Sequence, residues 1–467
     1  MVIVIFSGAV IIMSKRTMTE GTPWKHIISF AMPVLAGSLL QQLYNTADSV
    51  IVGRNAGQNA LSGVGTTGTF AFLFLAIAIG FSSGNSVVIA QHYGAGNEKA
   101  VRRTASTGII LLLALGIAST MIGIAVSEPV LTHIVGVKPA YHDYALKYFR
   151  WYCLGLIFQF GYNAFSSILR AVGDSKATLY FLLISSVLNI ALDLLFVGVF
   201  KWGVFGAAIA TDISQAGSFI AAYIYMIKKY PVFRFKLKEY VWDSKAAKST
   251  VIVGTPIALQ LVIVSIGLTL IQRAVNDFGE NMTASFTVGS RIEMYLNLPC
   301  NAFQTTLATY TGQNYGAGKP ERVKQGARQT ILISVVITLL ISAVIMLTSQ
   351  NIINLFKLND AAAGYCIQHL RTIALVNVVL SVYIPLFGVF QGTNHSGMPT
   401  IVATCALSVR LIVTYLFRYS DFFGYSIIWW NGLFGFGTGC TITWLNYLNG
   451  WWLKGSTLST KKISEKH

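Results

Sequence analysis

The sequence predicts an all-α integral membrane protein in which twelve transmembrane helices form two pseudo-symmetric six-helix bundles. Three observations carry that expectation. Hydrophobic residues fill 54% of the 467 positions and charged residues only 11%, against about 25% charged in a soluble domain, and mean hydropathy is +0.61. Apolar runs of twenty or more residues recur along the chain, long enough for a helix to cross roughly 30 Å of hydrocarbon; strands would leave backbone groups unsatisfied there. Finally, motifs of the first half return in the second at a fixed offset of about 222 residues, the mark of an internal duplication.

The spans follow from apolar continuity between short polar breaks. The first covers 26–52, between Lys25 and Arg54, and contains Pro33. The second (61–91) ends at "AQHYGAGNEKAVRR", the third (103–127) before Glu128, and the fourth (143–169) at "LRAVGDSKAT". The fifth and sixth cover 177–200 and 203–227. After the polar stretch "IKKYPVFRFKLKEYVWDSKAAKST" come 249–275, 283–312 (ending at "GQNYGAGKPERVKQ"), 327–349, 366–390 (ending at "FQGTNHSGMPT"), 399–419 and 424–452. The implied organisation is an amino-terminal segment 1–23, a first lobe 24–228, a linker 229–248, a second lobe 249–452 and a tail 453–467.

Basic breaks alternate with breaks poor in Lys and Arg. Lys15, Arg16 and Lys25, then Lys99, Arg102 and Arg103, Arg170 and Lys176, Lys319, Arg322, Lys324 and Arg328, and finally Lys454, Lys461, Lys462 and Lys466 fall on one side. The positive-inside rule puts both termini in the cytoplasm, as an even number of spans requires. The formal charge of +17 is absorbed by this topology and by anionic inner-leaflet lipid, so no nucleic-acid partner is expected. Residues 1–13, "MVIVIFSGAVIIM", are too short for a span and precede their basic residues, the reverse of a secretory signal; a true start near Met13 or Met18 is expected. Cys153, Cys300, Cys366, Cys405 and Cys440 lack metal or CxxC spacing and read as small apolar residues.

Six spans plus an inside linker return the chain to the same orientation, so the repeats are parallel, and two such bundles enclose a cleft suited to alternating access. Of seventeen acidic residues, only Asp48, Asp193, Asp212 and Glu293 lie well inside apolar spans, where a charged carboxylate costs at least about 2.5–3.5 kcal/mol. Gln41, Tyr44 and Asp48 share one helical face, and Asn189 and Asp193 another. Two carboxylates brought close in a low-dielectric pocket do not both stay ionised cheaply, which favours a proton at neutral pH. Alternatively, with amide and hydroxyl oxygens, they make a hard cage for sodium. Asp212, beside Thr211, reads as structural. In the second half Arg410 occupies the repeat position of Asn189 and needs a partner, so a Glu293–Arg410 ion pair is expected.

Pro33 followed fifteen residues later by Asp48, the paired "Q.YGAG" breaks, "RAVGD" and "GAAIAT" (206–211) in order resemble the multidrug and toxic compound extrusion (MATE) family, from about Trp24 to Trp452. Within that family the chain resembles the DNA-damage-inducible F-like bacterial branch. The resemblance implies an inner-membrane antiporter that expels amphipathic or cationic organic compounds in exchange for H+ or Na+, works as a monomer among membrane lipids and needs no cofactor. It also implies a coupling site at Asp48, Asn189, Asp193 and Thr211. The branch with a Glu in span seven and an Asp in span ten is not matched, since neither span carries an acid here. Substrate-cavity candidates are Gln41, Tyr44, Tyr148, Asn163, Met294 and Gln304, because broad-specificity cavities use Met, aromatic and adaptable polar groups. Pro33 lacks the N–H that would bond one turn back and permits a bend. A lipid-linked oligosaccharide flippase of the same superfamily would want a basic cavity, for which the spans supply little beyond Arg410 and Arg291. An intramembrane enzyme would need a nucleophile with its base, or a cluster such as HExxH, and the seven histidines are dispersed.

Overall fold

The computed structural model describes residues 17–453 other than 355 and 357. Thirteen α-helices build it: α1 (Pro23–Ala56), α2 (Gln58–Gly94), α3 (Glu98–Pro129), α4 (Pro139–Leu154), α5 (Leu156–Ala171), α6 (Ser175–Asp193), α7 (Gly203–Lys229), α8 (Ser244–Asn276), α9 (Glu280–Gly316), α10 (Pro320–Asn354), α11 (Asp360–Gly392), α12 (Gly397–Phe417) and α13 (Ile427–Leu448). They make twelve spans, because α4 and α5 form one, broken at Gly155. The Thr120 hydroxyl donates to the carbonyl of Cys153 at 2.8 Å, satisfying a group this break frees. Short π-helical turns extend α3 and α6 at Val130–Ile134 and Leu194–Val199. Among the described residues nine helices are long and apolar enough to cross a membrane by length and composition. Helices α4 and α5, at 16 residues each, are too short singly, while α9 and α13 are diluted by Thr, Asn, Gln, Gly and Trp. The sequence-based reading of the extreme amino terminus, and of the basic tail beyond 453, lies outside the described residues.

The helices group into two bundles, α1–α7 and α8–α13, each around its own apolar cluster. Ile109, Leu112, Phe149, Phe160 and Ile168 are fully enclosed in the first, and Leu307, Tyr310, Leu386 and Phe390 in the second. Helix α1 belongs to both. Ile27, Phe30 and Ala31 pack into the second-half cluster with Phe303 and Leu307, whereas Ile51 and Val52 pack with Tyr148, Val197 and Val204 of the first half. Pro33 is buried inside this continuous helix, at the changeover.

The two halves meet most closely near the end of the bundle that carries the amino terminus of α1 and the basic breaks, called here the basic end. There α2 lies on α8 through glycines: a Cβ on Gly84 would stand 2.7 Å from the Gly254 nitrogen, and one on Gly254 would stand 2.9 Å from the Gly80 carbonyl oxygen. Small residues of this kind let backbones approach without a hydrophobic driving force between helices.

The connection between halves is pinned, not loose. The Arg102 guanidinium donates to the carbonyls of Val232 and Arg234 at 3.0 and 3.1 Å and pairs with Glu239, and Thr107 accepts from the Asp243 N–H at 3.0 Å. Beside it, Asp174 caps α6 by accepting from the Ala177 N–H. It also accepts from the Tyr225 and Tyr230 hydroxyls at 2.9 and 2.8 Å and from Lys229 at 2.8 Å. Burial pushes this carboxyl up, but the Lys229 ammonium and the two phenols outweigh it and hold Asp174 below the usual carboxylate range. A depressed carboxyl stabilises the fold above its unfolded value near 4 and loses that contribution as pH falls through the lower, folded value. Asp174→Asn is therefore expected to lower the unfolding temperature at pH 7 and to narrow its gap from the parent as pH falls below about 4, read by thermal unfolding in detergent across pH.

Candidate ion and substrate site

The first half sets two acidic side chains, Asp48 and Asp193, against each other, with a third, Asp212, near the same Tyr148. Asp48 sits on the outer part of α1, the part that packs on α6 and α7, and its carboxylate faces that of Asp193 within hydrogen-bonding reach. Asp193 is fully buried at the end of α6, just where the helix widens into a π turn. Among the described residues no donor satisfies the enclosed Asp193 oxygens, Oδ1 of Asp48 or Oδ1 of Asn189. One turn back on α6, Asn189 presents its amide to the Thr211 hydroxyl of α7 at 3.5 Å, and that hydroxyl donates to its own helix at the Ala207 carbonyl, 3.0 Å away. The coupling residues named from the sequence thus come from three helices and converge.

Four buried oxygens without donors are a poor arrangement for two bare carboxylates, because an unpaired buried charge costs far more than a paired one. The chemistry that fits is a proton held between Asp48 and Asp193, or a small hard cation taking carboxylate, amide and hydroxyl oxygens. Among the described residues no group of three or more His, Cys, Asp or Glu side chains is placed to hold a metal ion, so a cation here would rely on the Asn189 and Thr211 oxygens as well.

Aromatic residues wall the cluster. Tyr44 lies beside Gln41 and near Asp48 and Asp193; Tyr148 is near the same two carboxylates and stacks on Tyr152 at 6.1 Å. The Asn163 amide is occupied by the Gln159 carbonyl of its own helix at 2.9 Å. Met294, 44% exposed, and Gln304 are carried by α9 in the other half. Sequence reasoning passed over Tyr152 and gave Asp212 a structural part. In the structure the Asp212 carboxylate lies directly against Gly155, where a Cβ would overlap it, and near Tyr148, Tyr152 and Cys153. Its signal was legible, as an acid one residue beyond Thr211 inside an apolar span; the Gly155 break that receives it was not.

The second half corrects one expectation. Among the described residues Glu293 and Arg410 make no direct ion pair within 4.0 Å. Arg410 Nε donates to Asn431 at 2.8 Å, and its guanidinium lies 5.0 Å over the Phe436 ring. The base closest to Glu293 is His369, with Nε2 at 3.9 Å, and that imidazole is stacked between Phe286 and Trp429 at 5.5 and 4.4 Å. Glu293 and Arg410 still feel each other's charge. The planar Arg fork finds an amide and a ring face, positions that pairwise charge counting does not foresee.

Comparison with known proteins follows the same two halves. The family model MatE matches residues 33–195 and again 256–416. The chain is 28% identical over 434 residues to the Bacillus subtilis (strain 168) "Probable multidrug resistance protein YpnP", covering 93% of this chain and 95% of that protein. It is 23% identical to the "Multidrug export protein MepA" of Staphylococcus saprophyticus, over 88% of this chain and 90% of that one. A solved structure described as the outward-facing conformation of a multidrug resistance MATE family transporter of the MOP superfamily superposes with a TM-score of 0.88 at 26% identity. It covers 94% of this chain and 98% of its own.

Proposed function

The chain belongs to the MatE family of membrane transporters, and on that premise we propose that it exports amphipathic, cationic organic compounds across the cytoplasmic membrane in exchange for H+ or Na+. It is a multi-pass transporter of the multidrug-efflux kind, not an enzyme. The observation that carries the finer reading is the facing pair Asp48 and Asp193, whose buried oxygens meet no donor among the described residues. A bound ion would neutralise them and draw the outer part of α1 onto α6 and α7. Because the inner part of α1 is anchored in the second half and Pro33 marks the changeover, that pull falls on the contact between halves. An ion that binds one arrangement better than the other shifts the population between them by its differential affinity, and no more.

The basic end carries Lys25, Lys99, Arg102, Arg103, Lys319, Arg322 and Lys324, which supports a cytoplasmic position for it and for both termini. The hydrogen bonds described between the halves lie at that end, which supports an arrangement closed to the cytoplasm. The candidate cavity residues Gln41, Tyr44, Tyr148 and Asn163 of the first half, with Met294 and Gln304 on α9 of the second, offer aromatic and amide groups to a cation without fixing one geometry.

The test is purified protein in liposomes loaded with a fluorescent organic cation, first under an imposed proton gradient and then under a sodium gradient. Movement against the dye gradient under either one supports antiport and identifies the ion. Movement under neither, with folded protein and several cations tried, overturns it, and lipid-linked oligosaccharides become the substrates to examine.

A further inference from the structure

The duplicated "Q.YGAG" breaks have no part in the ion site, yet they meet each other across the interface at the basic end. Gln91, near the end of α2, donates through its amide nitrogen to the Gly392 carbonyl at 2.8 Å. Gln313, 222 residues later on α9, donates to the Ala171 carbonyl at 2.8 Å. Gly392 and Ala171 are the last residues of α11 and α5, in the two copies of the other repeated motif. Each glutamine therefore reaches from its own half to a helix end of the opposite half, and does so reciprocally.

The amide oxygens are used as well. Gln91 Oε1 accepts from Asn394 at 3.2 Å, while its nitrogen also donates to Asn394 Oδ1 at 3.1 Å. Gln313 Oε1 instead accepts from the Met18 N–H at 2.8 Å. This fixes the segment just ahead of α1, whose carbonyls also accept from Asn314, Lys319 and Arg322. Glycines make the approach possible: a Cβ on Gly94 would overlap the Gln313 carbonyl, and one on Gly316 the Gln91 carbonyl.

The carbonyls that receive the glutamines belong to the last turns of helices, where no intrahelical partner exists. Across the closed interface a glutamine satisfies them; when the halves part, water replaces it. A polar contact of this kind closes firmly yet reopens at small net cost, since its hydrogen bonds are exchanged and not lost. An apolar seal of the same area would have to be exposed outright.

We propose that Gln91 and Gln313 are the paired latch of the basic end, positioning residues that set how often the transporter opens on that side, with Gln313 also holding the segment ahead of α1. The inference rests on the alternating-access reading but is tested without substrate or ion. Spin labels carried by non-canonical amino acids at the exposed positions Lys99 and Gln325 report the separation of the halves at the basic end in lipid nanodiscs, with the cysteines untouched. The parent is expected to show mainly the short distance. Gln91→Ala should raise the long-distance fraction roughly tenfold relative to the short, and Gln313→Ala should raise it further because the amino-terminal segment is released too. Lys324→Ala, which among the described residues removes a pairing with Glu321 within the same helix turn, should leave the distribution unchanged. Gln91→Glu keeps the side-chain size but removes the donor, and stands in if the alanine variants fold poorly. Distributions identical to the parent in folded glutamine variants overturn the latch. Failure of antiport shows separately, as a parent distribution indifferent to added substrate, pH and sodium.

Discussion

Asp48→Asn is expected to bring gradient-driven export down to the level of empty liposomes while the protein remains folded. The substitution keeps size and polarity but deletes the charge that faces Asp193, so a proton or cation no longer distinguishes the two arrangements of the halves. A coupling free energy between sites of about 1–3 kcal/mol corresponds to a 5- to 150-fold effect, and its removal should appear as a loss of that order in the gradient's effect on dye movement. Binding of the dye itself, read by fluorescence titration, should change little. Asp193→Asn should give the same loss, and the double variant no further one, because the carboxylates act as one site. Asn189→Ala and Thr211→Ala separate the ions: both should weaken coupling if sodium is held, and neither should do so strongly if a proton sits between the aspartates. Full gradient response in folded Asp48→Asn would remove this pair from the mechanism.

Much of this site was legible before the structure because a membrane punishes charge. An acid inside an apolar span stands out against its surroundings, and helical spacing places Asn189 with Asp193, and Gln41 with Tyr44 and Asp48, from residue numbers alone. What could not be read was distance between spans. The facing of Asp48 and Asp193 depends on how α1 crosses from one bundle to the other, and the seat of Asp212 on a helix break at Gly155 that composition does not reveal. The twelve spans survive with small shifts, but the fourth is two helices. The glutamines of the duplicated motif were visible as a repeat. Their purpose emerges only when the repeats are brought face to face, since no pattern within one half shows a bond to the other.

The second half provides the other large expected effect, on stability. Arg410 is the cation whose charge Glu293 feels within the span, although an amide and an aromatic ring hold its guanidinium. Arg410→Met leaves Glu293 beside the ring-stacked His369 without the guanidinium whose charge it feels. A buried charge left without compensation is destabilising even where the two groups do not touch, and the loss should appear as a drop in unfolding temperature in detergent. Glu293→Gln should cost less, because Arg410 retains Asn431 and the Phe436 face. The double variant Glu293→Gln/Arg410→Met should be more stable than Arg410→Met alone, since it removes the orphaned charge along with its partner. Residues that share a network depart from additivity by about 0.5–3 kcal/mol, whereas independent ones add to within about 0.5. Additive losses would mean that the two charges are held separately and that the cluster is two unrelated packing sites. A rescued double variant would mean that the second half balances its own charge internally, leaving the unsatisfied carboxylates of the first half as the place where an ion changes the energy of the whole.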